Sequence, residues 1–82
     1  MKTNALKKGQ RVKLRGTGWE AELADNMRGN TRLAKVYGMY TETGSVYSHD
    51  IQFYLDTDGA WAPVEHTKQQ LALRKQAAQL GM

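Results

Sequence analysis

The sequence predicts a mainly β domain, a small five-stranded barrel followed by a C-terminal α-helix. Apolar and polar residues alternate in short segments that are separated by glycine-containing turns. The last segment changes to a helical period. With 82 residues the chain has room for one small core, and a sheet that curls into a barrel hides its edges. We expect a flexible lead-in over residues 1–8, the barrel over 9–65 and the helix over 66–81.

The first two strands form a predicted hairpin. Apolar and polar residues alternate over 10–16 and again over 19–25, with a glycine turn between them. A two-residue loop would place Lys13 opposite Glu22, and a four-residue loop would keep the same faces together. We therefore expect a loop with an even number of residues. Opposite charges across the two strands then neutralise part of the basic surface.

The remaining strands follow at close spacing. A third strand is predicted over 31–37, a connection over 38–44 and a long fourth strand over 45–55. Four side chains of the fourth strand are expected on one face: Tyr47, His49, Ile51 and Phe53. The fifth strand, 60–64, contains Pro63, which cannot donate a ladder hydrogen bond, so this strand is expected at an edge.

The C-terminal segment is predicted to be a helix capped by Thr67 and Gln70 and ended by Gly81. Two apolar strips run along it. The first, which would cover the open end of the barrel, consists of Leu73, Ala77 and Leu80. The second, which would pair with a partner chain or form a homodimer, consists of Leu71, Ala78 and Met82.

Residues 9–25 resemble the opening hairpin of SH3-like barrels of the KOW type. They read Gly-Gln-Arg-Val-Lys-Leu-Arg-Gly-Thr-Gly-Trp-Glu-Ala-Glu-Leu-Ala-Asp, with glycines at the turn and an alternating second strand. Trp19 and Ala21 depart from the smaller residues common after that turn. The resemblance implies a module that binds RNA, DNA-associated machinery or other proteins. Residues 44–51 also resemble small uncharacterised proteins of bacteriophages.

Charge is unevenly distributed along the chain. Residues 1–37 carry nine Lys and Arg against three acids, whereas 38–65 carry five acids and no Lys or Arg. The basic part favours a polyanion or an acidic protein surface as partner. A mixed surface that only keeps the protein soluble is the alternative.

Composition excludes several classes of protein. The chain contains no Cys, which excludes disulfide scaffolds, cysteine zinc sites and thiol catalysis. No apolar run exceeds three residues, so we expect neither a membrane span nor a signal segment. The expected location is the cytoplasm of a bacterial or phage-infected cell.

The basic segment brings cations and flat rings close together in sequence, as phosphate binding and base stacking require. The expected nucleic-acid contacts are Lys7, Lys8, Arg11, Arg28, Arg32, Lys35, Tyr37 and Tyr40. Arg32 and Lys35 are favoured because no cross-strand acid is assigned to either. The alternative is that Tyr37 completes the core and the cations only confer solubility.

Protein binding is the second functional hypothesis. The chain would act as an adaptor, or as a phage-encoded inhibitor of a host protein, through its acidic middle segment. The apolar residues expected to be exposed for this purpose are Met27, Met39 and Tyr40. A continuous basic groove would favour nucleic acid, whereas a basic face neutralised by Glu20 and Glu22 would favour protein.

No motif indicates an enzyme or a cofactor. His49 stands beside Asp50, but neighbours on a strand point to opposite faces, so we expect His49 to be a packing residue. Four residues match positions of an EF-hand calcium loop: Asp56, Asp58, Gly59 and Glu65. Tyr54 occupies the first position of that loop and supplies no carboxylate. We therefore expect a β-turn there and no metal site.

Overall fold

A computed structural model describes residues 1–26 and 28–79, and over these residues the chain forms six antiparallel strands and one α-helix. The strands are β1 Arg11–Leu14, β2 Glu20–Leu23, β3 Thr31–Tyr37, β4 Thr41–Tyr47, β5 Ile51–Leu55 and β6 Trp61–Pro63. Their order in the sheet is β4-β3-β2-β1-β5-β6. Two 3-10 turns, Thr3–Ala5 and Ser48–Asp50, and the helix α1, Lys68–Gln79, complete the fold.

The number of strands differs from the expected five. The predicted fourth strand is interrupted at Ser48, whose hydroxyl donates to the carbonyl of Gly29 (2.7 Å) and whose N–H donates to that of Asn30 (2.8 Å). These bonds hold the 3-10 turn that separates β4 from β5. The first half of β4 lies in the segment expected to be a connection. Because β4 and β6 lie at opposite edges, the described strands form an unclosed sheet, and barrel closure is not confirmed.

The β1–β2 hairpin confirms the alternation and the even loop. Val12 pairs with Ala21 and Lys13 pairs with Glu20, and the N–H of Leu14 donates to the carbonyl of Trp19 at 2.8 Å, so the four residues 15–18 form the loop. The two-residue alternative, with Lys13 opposite Glu22, is not the register formed. Val12, Ala21 and Leu23 are fully buried and form the centre of the core. These inward positions leave the other side of the hairpin free to carry charge.

Two of the first eight residues are buried and anchor this segment, in contrast to the expected flexible lead-in. Thr3 and Leu6 are each 1% exposed. The guanidinium of Arg32 donates to the carbonyls of both residues, at 2.8 and 2.9 Å. The N–H of Glu65 donates to the carbonyl of Met1 at 2.9 Å. The N-terminal segment therefore belongs to the folded unit.

The predicted capping box of the helix is confirmed. The N–H of Gln70 donates to Thr67 Oγ1 (3.1 Å), and the N–H of Thr67 donates to Gln70 Oε1 (3.0 Å). Gln70 Nε2 also donates to Thr3 Oγ1 (2.8 Å), and α1 packs on the Ser48–Asp50 turn. The start of α1 thus docks on its own chain.

The apolar strips of the helix are only partly described. Leu73 is half-buried, whereas Leu71 is 40% exposed. Leu80, Gly81 and Met82 lie outside the described residues, as does Met27. No described helix has the length and apolar character needed to cross a lipid bilayer.

Candidate nucleic-acid interface

The side of the sheet opposite the core carries charged and aromatic side chains in two rows. In one row, Lys35 lies opposite Glu22, and Glu22 lies opposite Arg11. The other row runs across five strands, through Tyr37, Glu20, Lys13, Phe53 and Pro63. Directly paired residues project on the same side of a sheet. We call the surface formed by Arg11, Lys13, Lys35, Tyr37, Phe53 and Trp61 the outer face.

Cations lie against the rings of the outer face. Arg11 Cζ is 4.8 Å from the centroid of the Tyr37 ring, and Lys35 Nζ is 5.7 Å from the same centroid. Lys13 Nζ is 4.7 Å from the Trp61 ring. These distances fall within the range of cation–π attraction, about 6 Å. The contacts hold the rings in place, and Tyr37 and Trp61 are each partly exposed to solvent.

Two carboxylates lie among these cations. Arg11 Nη2 is 3.4 Å from Glu20 Oε1, with both side chains about two-fifths exposed (39% and 45%). Glu22 lies between Arg11 and Lys35 in the strand register. The expectation that Lys35 has no cross-strand acid is therefore wrong. Exposed pairs of this kind weaken the positive potential of the face without removing its cations from solvent.

Arg32 was expected to contact nucleic acid, and the structure contradicts this. The residue is 1% exposed because it shares the inward side of β3 with Ala34. Its Nε lies 2.8 Å from Asp25 Oδ1, and its Nη2 also donates to the Asp25 carbonyl at 3.0 Å. With the bonds to Thr3 and Leu6, all three guanidinium nitrogens donate hydrogen bonds within the protein. Arg32 connects β3 to the N-terminal segment and cannot reach a phosphate.

The structure brings three of the expected cations into one shallow groove. Lys7, Lys8 and Arg11 line a depression of about 390 Å³ beside Leu55. Gln10 and Leu55 form one wall of this groove, and a hydrogen bond from Gln10 Nε2 to the Leu55 carbonyl (2.6 Å) joins them. This groove continues the outer face at the end of the sheet where β1 begins.

Arg28 and Tyr40 lie apart from each other. Arg28 is exposed in the loop before β3, where the neighbouring Gly29 N–H donates to Asn4 Oδ1 at 3.3 Å. Tyr40 is 74% exposed at the hairpin tip after β3. Because β3 separates these loops, one ligand contacting both would have to span the length of that strand.

Sequence reasoning missed Lys13, Phe53 and Trp61. Lys13 lies opposite Glu20, but strand parity places it on the same side of β1 as Arg11. Phe53 was expected on the same face as Ile51. A register shift between Lys13 and Leu14 instead leaves Ile51 buried in the core and pairs Phe53 with Lys13. The apolar Tyr54 and Leu55 that follow break the alternation of the segment, as a bulge does, but the position of the shift depends on the pairing with β1.

His49 is a packing residue, as expected, although it lies in a 3-10 turn rather than on a strand. It is 6% exposed, and its ring stacks on Tyr47 with centroids 5.0 Å apart. The turn brings His49 Nε2 to 3.8 Å from Asp50 Oδ1, so these neighbours do meet. Burial lowers the pKa of nearby His66, and the charges of Arg74 and His49 lower it further.

The predicted turn after β5 is confirmed. Asp56 Oδ1 accepts hydrogen bonds from the N–H groups of Asp58 and Ala60, both at 2.9 Å. Asp56 therefore stabilises the β5–β6 hairpin. Over residues 1–26 and 28–79, no group of three or more side chains is arranged to hold a metal ion.

The outer face combines two chemistries. Its cations can neutralise phosphates, and its partly exposed rings can stack on bases. The rings are carried by paired strands, so their spacing is fixed by the sheet. Comparison with known protein families, with curated proteins and with solved structures found no match for this chain.

Proposed function

We propose that this protein is a non-enzymatic module that binds single-stranded nucleic acid, free or within a nucleoprotein, through the outer face. The observation that carries the proposal is the placement of Tyr37 and Trp61 against Arg11, Lys35 and Lys13 on paired strands. Stacking needs bases that are not already stacked in a duplex, which favours single strands.

The proposed path of the strand is set by the cations. Lys7 and Lys8 extend the outer face from Arg11 toward the start of β1. A backbone that follows these side chains passes Arg11 and reaches the Tyr37 ring. Three to five phosphate contacts would give a salt dependence of about −2 to −4 in log K against log salt concentration.

The acids of the outer face make the proposed binding modest. Glu20 and Glu22 repel phosphates and compete with them for Arg11 and Lys35. Stacking then supplies a large part of the affinity, at about 1–3 kcal/mol per base. We therefore propose little dependence on base sequence, since every base offers a ring face to stack.

The unclosed sheet is compatible with the SH3-like barrel expected from the sequence, and we propose that architecture. β1 lies inside the sheet and pairs with both β2 and β5, and the Ser48–Asp50 turn carries the chain from β4 back to β5. The radius of gyration is 12.0 Å, close to the value of about 12 Å for a compact chain of this length. This strand order and these compact dimensions support the proposal.

Fluorescence anisotropy of labelled 12-nucleotide DNA and RNA tests the proposed function. Both single strands are expected to bind more tightly than the duplex of the same sequence. The slope of log K against log salt concentration is expected to be about −2 to −4. The double variant K13Q/K35Q is expected to weaken binding at low salt about tenfold, because two phosphate contacts are lost. The control K68Q/K75Q removes the same charge from exposed helix positions and should bind nearly as the natural chain does. Equal losses in both variants would reject the outer face as the site.

Protein binding is the second candidate function. The partial neutralisation of the outer face by Glu20 and Glu22 is the arrangement expected to favour it. Met39 is 83% exposed and Tyr40 is 74% exposed at the tip of the β3–β4 hairpin. A separate groove beside β4 is the more specific structural feature that favours protein binding.

A further inference from the structure

A second concave surface lies on the core side of the sheet, along the edge strand β4. It has a volume of about 400 Å³, and its walls include Trp19, Val36 and Val46. Trp19 is 41% exposed, so its indole forms an open wall rather than a part of the core. We call this surface the β4 groove. It is distinct from the outer face because Trp19, Val36 and Val46 project from the opposite side of the sheet.

The backbone of β4 has one unpaired edge. The Ser48 N–H donates to the carbonyl of Asn30, the residue before β3, and hydrogen bonding alternates along an antiparallel strand. Positions 42, 44 and 46 therefore bond to β3, and the backbone groups of Thr43 and Ser45 point away from the sheet. All seven residues of β4 except Val46 are exposed. Natural proteins usually protect such an edge with lysine, proline or a covering segment.

The side chains of β4 that face the groove define what could occupy it. They follow the order Glu42, Gly44, Val46, and each is paired with an inward-facing residue of β3. A Cβ built on Gly44 meets no atom within 4 Å, which leaves open space opposite this position. Glu42 has no cation paired with it among the described residues. Beside an ion pair between Arg15 and Asp50 (3.3 Å), the groove thus offers the Glu42 carboxylate, a vacant position and an apolar wall at regular strand spacing.

We propose that the β4 groove binds an extended peptide segment of a partner protein, which adds to β4 as an antiparallel strand. The recognised pattern is apolar-x-large apolar-x-Lys or Arg. The basic residue lies opposite Glu42, the large apolar residue fills the space at Gly44 beside Trp19, and the first apolar residue packs on Val46. Backbone bonds to Thr43 and Ser45 supply affinity, and alternate side chains supply specificity.

Charge complementarity favours this peptide over a second copy of the chain. Two β4 strands paired antiparallel about Gly44 would set Glu42 of each against Val46 of the other. A carboxylate would then face an apolar side chain without a cation, at a cost in free energy. A partner segment with Lys or Arg at that position avoids this arrangement.

The probe is the blocked peptide acetyl-Ser-Ile-Thr-Phe-Thr-Lys-Ser-amide, titrated into the full chain by calorimetry. Nitrogen-15 NMR of the same titration is expected to show shifts concentrated at residues 41–47 and at the Trp19 indole. Gly44→Val should weaken binding at least about tenfold, the factor for one apolar side chain left unburied. Glu42→Gln should weaken it about threefold, as for an exposed ion pair.

Thr31→Val is the matched control for Gly44→Val. It places the same side chain on an exposed position of the neighbouring strand β3, outside the lining of the groove, and should leave the peptide affinity within about twofold. Absence of peptide binding, or equal affinity for Gly44→Val and the natural chain, would overturn the proposal. So would a dimer of the free chain, detected by sedimentation, that Gly44→Val abolishes. These outcomes do not depend on whether the outer face binds nucleic acid.

Discussion

The indole of Trp19 lies directly on Gly38, so that a Cβ atom built on Gly38 would stand 2.6 Å from Trp19 Cε3. The contact joins the start of β2 to the end of β3. It holds the ring that forms one wall of the β4 groove. Gly38 has no positive φ, so the absence of a side chain, rather than backbone freedom, is what this position requires.

Gly38→Ala is therefore expected to destabilise the fold by about 1–2 kcal/mol, because the added methyl group must displace the indole ring. Gly44→Ala is the control, since nothing lies within 4 Å of its Cβ position. Urea unfolding followed by circular dichroism measures both. Equal midpoints for the two variants would show that the indole ring moves aside without cost.

Arg32→Ala is expected to cost about 3–5 kcal/mol, because it leaves Asp25 with a largely buried charge and removes the bonds to the N-terminal segment. Lys35→Ala, three positions along the same strand, should change stability by less than about 0.5 kcal/mol. Urea unfolding measures the free energy of unfolding of both variants. If Arg32→Ala is too unstable to purify, Arg32→Lys is expected to show a smaller loss in the same direction.

Stability is expected to fall between pH 7.5 and pH 5. The folded chain holds the pKa of His66 below its ordinary value of 6.5, through burial and then through the Arg74 and His49 charges. The unfolded chain takes up a proton at His66 more readily, so acidification below pH 6.5 favours unfolding and the loss levels off below the folded-state pKa. The difference between the unfolding midpoints measured at the two pH values should be smaller in His66→Asn than in the natural chain. An unchanged difference in that variant would assign the pH dependence to other groups.

Removal of the outer-face acids is expected to strengthen nucleic-acid binding. E20Q/E22Q removes two negative charges that lie among Arg11, Lys13 and Lys35, and should raise the affinity at low salt about tenfold or less. Glu42→Gln, in the β4 groove, removes a carboxylate from the other side of the sheet and is the control. Anisotropy titrations measure both, and an equal gain from Glu42→Gln would point to overall charge rather than to the outer face.

The hairpin and the helix start were predictable because local rules determine them. The alternation of apolar and polar residues over β1 and β2 allows only loops with an even number of residues. The side chains of Thr67 and Gln70 each accept a hydrogen bond from the backbone N–H of the other, within one helical turn. The division of the predicted fourth strand was not predictable, since it depends on bonds from Ser48 to a distant loop.

The candidate site was predicted in part, for a related reason. Arg11, Lys35 and Tyr37 lie together as expected, because they follow the parity of β1 and β3. In the sequence Arg32 cannot be distinguished from a surface arginine, because Asp25 and the N-terminal carbonyls contact it only in the folded chain. Trp61 reached the outer face only through the pairing of β5 with β1 and β6. Long-range pairing of this kind leaves no local signal.

The fluorescence of Trp61 tests the outer face most directly. In Trp19→Phe it is the only tryptophan of the chain, and its ring lies on the outer face beside Lys13. Addition of a 12-nucleotide oligothymidylate at low salt is expected to quench its emission to saturation, because a base stacks on the ring, and added salt should restore the emission. Emission that stays unchanged while anisotropy shows the oligonucleotide bound would contradict binding at the outer face.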